Sequence, residues 1–222
     1  MISSSFINAI IWHFECMDLA RKAIDNFRPP ADSFQMRMNY SLYLINLMSA
    51  VDMLGEECGE PFNTELKESL KTSAYSGQHI LCYMRDLRNS IVHRGFDPTT
   101  EGVELEGLVL ALAPTAVQNR NGSRSYTAPA QLLREIFIHC EICAKPIFER
   151  FLEPSLKAIN ATTSEGMMEA YHEALDGVQH MPDWAKEMAR NNVTPEILAM
   201  AQSNQVEKLR TILKPPIGRR IA

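Results

Sequence analysis

Residues 32–59 read DSFQMRMNYSLYLINLMSAVDMLGEECG. Apolar side chains return at every third or fourth position, so Tyr43, Leu47, Ala50, Val51 and Leu54 share one continuous stripe. Asp32 or Ser33 offers an N-cap and Gly59 a stop. The spacing predicts one long helix, and a helix with so broad an apolar face must bury it against neighbours.

The neighbours lie on both sides. SSSFINAIIWHFECMDLARKAIDNF (3–27) has the same period behind a serine cap and halts at Pro29-Pro30. GQHILCYMRDLRNSIVHR (77–94) is a third long helix ending at Gly95, and TELKESLKT (64–72) holds a minor helix before it. PAQLLREIFIHCEICAKPIFERFLEPSLKAI (129–159) is the fourth, with a bend expected at Pro146. Four long helices predict an all-α, four-helix up-and-down bundle over residues 1–160.

Two segments fall outside that plan. GVELEGLVLALAP (102–114) is rich in valine and leucine, and QNRNGSRSY (118–126) contains an Asn-Gly turn signal. They predict a small β-hairpin, or a pair of short strands, inserted at about 101–128. From 161 to 222 the periodic stretches shorten: EGMMEAYHEALDGV, PDWAKEMAR, TPEILAMAQ and QVEKLRTILKPP read as a C-terminal extension of three or four short helices. Arg219 and Arg220 read as mobile charge at the tail.

The composition narrows the function. The 222 residues carry a formal charge of -5, so a polyanion would have to be held by a local arginine cluster rather than by the whole surface. Five scattered cysteines, mostly in apolar helical patterns, read as reduced thiols of a cytoplasmic protein. The apolar run at the start is broken by His13 and Glu15, so neither a signal peptide nor a membrane span is expected. The pair in HCEIC (139–143) lacks a second pair at zinc spacing and reads as core thiols; no metal site is expected. No phosphate loop, dinucleotide fingerprint or nucleophile elbow is present, and no cofactor is expected.

One cluster stands out: RDLRNSIVHRGFDP (85–98), which places Arg88, Asn89 and His93 in the last turns of the third helix. Asn89 and His93 are four apart and share a face, whereas Arg88 and His93 point roughly 140° apart. One straight helix cannot aim both at a single phosphate. Either the last turn unwinds before Gly95, or two copies meet across a two-fold axis and each lends a residue. Arginine offers a planar fork for phosphate oxygens. Histidine shuttles protons near neutral pH, and a helix C-terminus favours its charged form. Arg85 and Arg94 flank the cluster as candidate phosphate contacts, and Arg120 and Arg124 sit on the presumed hairpin tip. Basic residues also collect at helix ends simply to complement exposed carbonyls.

RNSIVH (88–93) resembles the R-x4-6-H motif of the HEPN superfamily, with Arg88 as the arginine, Asn89 as the polar residue that follows it and His93 as the histidine. The helical plan of residues 1–160 is similar to HEPN domains as well. The resemblance implies a metal-independent endoribonuclease of the toxin–antitoxin or phage-defence kind. Its catalytic residues would be Arg88, His93 and Asn89, in a composite site across a homodimer. RNA would be the substrate, and an antitoxin or regulatory protein a further partner. Some HEPN members are instead non-catalytic modules that bind RNA or proteins.

Overall fold

The structure is a computed structural model that describes residues 2–216 and 220–221; Arg219 lies outside them. It is mostly helical, with eight helices and two small antiparallel hairpins among the described residues. The all-α class expected from periodicity therefore holds. None of these helices is long and apolar enough to cross a membrane.

The long helices begin where the capping residues stand. The Ser3 hydroxyl accepts from the Phe6 N–H at the start of α1 (Ser4–Ile24), and the Asp32 carboxylate accepts from the Gln35 N–H at the start of α2 (Ser33–Cys58). The cap of α2 is thus Asp32, not Ser33. After Gly59 the chain re-enters a helix at once, α3 (Glu60–Leu70), and Ser76 then caps α4 (Gly77–Arg94). Gly77 is required by packing: a Cβ there would sit 1.7 Å from the Lys67 carbonyl oxygen. α4 ends at Gly95, whose φ of 65° lies in the left-handed region that glycine enters freely.

α2 is central. It packs against α1, α3, α4 and α5 (Leu133–Asn160), and its Tyr40, Tyr43, Leu44, Leu47 and Leu54 are buried. The Tyr43 and Phe137 rings stack at 4.8 Å, while Phe148 of α5 meets Phe14 of α1 and Phe62 of α3 edge-on. α3 is longer than the minor helix expected. Its Phe62, Leu66 and Leu70 face the core, which makes it a structural member of the helical layer. α5 runs as one helix of 28 residues through Pro146 and Pro154, held by its buried Ala144, Ile147, Phe148 and Leu152. Packing along this face outweighs the hydrogen bonds the two prolines remove.

The insertion contains two hairpins rather than one, because Pro114 interrupts the run between them. β1 (Gly102–Leu105) pairs with β2 (Leu108–Ala111), and β3 (Ala116–Gln118) pairs with β4 (Ser125–Thr127). The second hairpin lies against α4. The Tyr83 hydroxyl donates to the Pro114 carbonyl, and the His79 ring nitrogen Nε2 lies 2.8 Å from the Thr127 carbonyl.

The C-terminal region is α6 (Ser164–Asp176), α7 (Asp183–Asn192) and α8 (Pro195–Ile212). TPEILAMAQ and QVEKLRTILKPP, read as separate helices, join in the single 18-residue α8. No breaker separates them: Gln202–Gln205 is polar but helix-compatible. α8 packs on α1 and α5, with Val206, Leu209 and Leu213 in the main core, whereas α7 buries none of its residues. The tail is tied back as well. The Ile221 N–H donates to His139 Nδ1 at 3.1 Å, while Arg220 beside it is exposed.

Candidate functional site at the end of helix α4

The end of α4 is fastened on two sides. Arg37 of α2 donates to the Gly95 carbonyl at 2.7 Å, and Arg94 donates to the Asn119 carbonyl of the second hairpin at 3.1 Å. The first contact also satisfies a carbonyl that the helix end would leave to water. Between them the motif residues divide over two faces of the helix, as the turn of about 100° per residue requires.

On one face Arg88 leans toward α2. Its Nη2 donates to Asp52 Oδ2 at 2.7 Å, while Arg85 Nη2 donates to Oδ1 of the same carboxylate at 2.7 Å. Asp52 therefore bridges two guanidiniums one turn apart. The Arg88 Nε is buried and has no hydrogen-bond partner among the described residues. An unmet buried donor is costly, about 1–3 kcal/mol.

On the other face lie Asp86, Asn89 and His93, spaced three and four apart. His93 is exposed, and Asn89 is half-buried. Partial burial raises the Asp86 carboxyl above its ordinary value, against the pull of the Asn89 side chain and the Arg94 and Arg85 charges. The Ser90 hydroxyl donates to the Asp86 carbonyl one turn earlier.

Of the residues expected to act, Asn89 and His93 are thus brought together. Arg88 is fixed nearby but faces away from His93, and Arg85 is drawn to Asp52 on the Arg88 side. Beside Arg85 a cleft of about 370 Å³ is lined by Asp52, Glu56 and Glu60 together with Lys67, so acids outnumber bases on its wall. Arg94 points to the hairpin tip. The residue that sequence reasoning missed is Asp52. Its signal was visible: it is the one acidic residue between Met36 and Leu54, in an otherwise apolar helix.

The other histidines and thiols have structural surroundings. His13 Nδ1 lies 2.8 Å from the Asn46 Oδ1, as expected of a packed histidine. His139 Nε2 lies 2.9 Å from the Leu70 carbonyl. Cys140 is fully enclosed and its thiol is pushed far up by burial. No group of three or more metal-ligating side chains occurs among the described residues. A cleft of about 840 Å³ opens between α1, α5 and α8 over Phe14, Arg21 and Lys145 and contains none of the motif residues.

No known protein family matches the chain, and no curated protein and no solved structure matches it either.

Proposed function

We propose that the protein is a metal-independent endoribonuclease of the HEPN type, acting as a homodimer, with α1, α2, α4 and α5 as the four-helix bundle. The observation that carries the reading is the anchored Arg88. Asp52 holds its guanidinium in one orientation at the end of α4, while Asn89 and the exposed His93 occupy the adjoining face. In this mechanism His93 takes the proton of a ribose 2′-OH or returns one to the leaving 5′-oxygen. Arg88 stabilises the charge that builds on the phosphorane, and Asn89 orients the imidazole or the scissile phosphate. The products are a 2′,3′-cyclic phosphate and a 5′-hydroxyl.

Because Arg88 and His93 of one copy diverge by roughly 140°, a second copy must complete the site. A surface suited to it exists. Trp12 and Leu19 on α1, Phe34 and Met38 on α2 and Val92 and Phe96 at the end of α4 are exposed. Exposed large apolar side chains are a feature of association surfaces. Such an activity would be restrained in the cell by an antitoxin or regulatory protein.

A second reading is a non-catalytic HEPN module that binds RNA or a protein partner. The engagement of both Arg85 and Arg88 by Asp52, which occupies donors a scissile phosphate would need, favours it. Incubating mixed RNA with wild-type protein and with His93→Ala decides between them. The nuclease reading expects cleavage by the wild type alone, with a cyclic-phosphate end. Intact RNA that is merely shifted on a gel supports the module.

A further inference from the structure

We infer that the tip of the β3–β4 hairpin is a phosphate-gripping arm that, with Arg94, holds single-stranded RNA beside His93. This deepens the functional reading above and rests on its assignment of RNA as the ligand. Three arginines belong to this corner. Arg120 and Arg124 are exposed on the tip, and Arg94 at the end of α4 reaches the tip directly through the Asn119 carbonyl at 3.1 Å. None of the three forms an ion pair among the described residues, whereas Arg21, Arg37, Arg85, Arg88, Arg134, Arg150, Arg190 and Arg210 all do. Arg28 and Arg220 form none either, but Arg28 donates to the Asp25 and Phe27 carbonyls and neither lies at this corner. In a chain of net charge -5, the protein's acids are plentiful, yet this cluster is left for an outside anion.

The tip is also built to hold its shape. The Asn119 N–H donates to the Arg124 carbonyl at 3.0 Å, and the Arg124 N–H returns a bond to Asn119 Oδ1 at 3.1 Å. The Gly122 N–H donates to the Asn119 carbonyl at 3.0 Å, a turn for which Gly122 adopts a φ of 71°. Asn121 Oδ1 accepts from both the N–H and the hydroxyl of Ser123. The Asn119 carbonyl thus serves the turn and Arg94 together, so helix end and tip form one unit. A backbone cage of this kind fixes where Arg120 and Arg124 leave the chain, which lowers the ordering needed on binding.

Single strands fit better than duplex. The cluster is a short corner rather than a stripe along the molecule, and the adjoining face offers Asn89 and His93 to one strand at a time. Arginine suits the role because its fork engages two phosphate oxygens. For single strands, each phosphate neutralised contributes about -0.7 to the slope of log affinity against log salt. Losing two contacts should flatten that slope by about 1.4.

The test uses the full chain carrying His93→Ala, so that RNA stays intact, and a fluorescent oligouridylate whose anisotropy is followed over a salt series. Arg120→Gln with Arg124→Gln should weaken binding several-fold at low salt and flatten the slope by about 1.4. Arg28→Gln, an exposed arginine elsewhere, should leave both unchanged. Unaltered affinity and slope in the double variant, an equal effect from Arg28→Gln, or no binding of the oligouridylate at all would each overturn the inference. Failure of the nuclease reading is separate: wild-type protein that binds through the tip but cuts no RNA would sink that reading alone.

Discussion

The Asp52 carboxylate and the Arg88 guanidinium meet at 2.7 Å across the seam between α2 and α4. The second oxygen of Asp52 is taken by Arg85, so the carboxylate acts as a splint for both. A long flexible side chain at a helix end would otherwise sample several rotamers. Here Asp52 selects one orientation.

Asp52→Asn removes the charge but keeps the size. All three side chains are partly exposed, so solvent screening limits the loss of stability to about 1 kcal/mol or less. RNA cleavage should fall at least tenfold, because a guanidinium displaced by an ångström no longer meets the phosphate. Thermal melting and cleavage, measured on the same preparation, check this. Unchanged cleavage in a well-folded variant would show that Arg88 needs no splint.

The interior offers a sharper stability test. Lys145 Nζ lies 2.5 Å from Glu141 Oε1, and the two side chains are only 9% and 3% exposed. The Tyr43 hydroxyl donates to the other oxygen of Glu141, and the Lys145 ammonium lies over the Phe14 ring. Lys145→Met strands a buried carboxylate and should destabilise by about 3–5 kcal/mol in urea unfolding. Adding Glu141→Leu should recover most of that loss, since a buried pair exchanged for apolar groups is often near neutral. A double variant as weak as the single one would mean the pair itself, not the stranded charge, stabilises the core.

Periodicity carried the helical part of the fold because burial writes itself into spacing. Tyr43, Leu47 and Leu54 are buried where the stripe of α2 placed them. The role of α3 was harder to read, since its core side chains Phe62, Leu66 and Leu70 are embedded in a charged stretch. Pro146 and Pro154 do not end α5, because its buried neighbours act along the whole face. At the site, the 140° divergence of Arg88 and His93 followed from helix geometry. The Asp52 partner did not, because it stands 36 residues earlier and is joined only by folding.

His139 predicts how stability responds to acid. Burial holds its pKa below the ordinary value of 6.5, with the nearby Arg220 charge acting the same way and the Leu70 carbonyl opposing. The unfolded chain therefore takes up the proton first. The stabilising contribution is complete above the ordinary histidine value and is lost as pH falls through it toward the folded value. Protonation would also remove the Nδ1 acceptor of the Ile221 N–H. Urea midpoints should fall between about pH 7 and pH 5, and His139→Gln should flatten that fall even though it lowers stability throughout. An equally steep fall in the variant would assign the effect to other groups.

The proposed composite site requires a second copy, and the exposed apolar side chains of α1 and α2 are where that association is tested. Phe34 is 68% exposed and Trp12 63% exposed, so neither supports the core of a single copy. Phe34→Asp with Trp12→Glu should therefore leave the melting temperature of the isolated fold nearly unchanged. The same pair of changes places charge in the middle of any interface built on α1 and α2, where desolvating it is expensive. Sedimentation velocity should show dimer converting to monomer, and RNA cleavage should be lost in step with it. Full cleavage by a monomeric double variant would mean that Arg88 and His93 of one chain suffice, and the two-copy geometry would have to be abandoned.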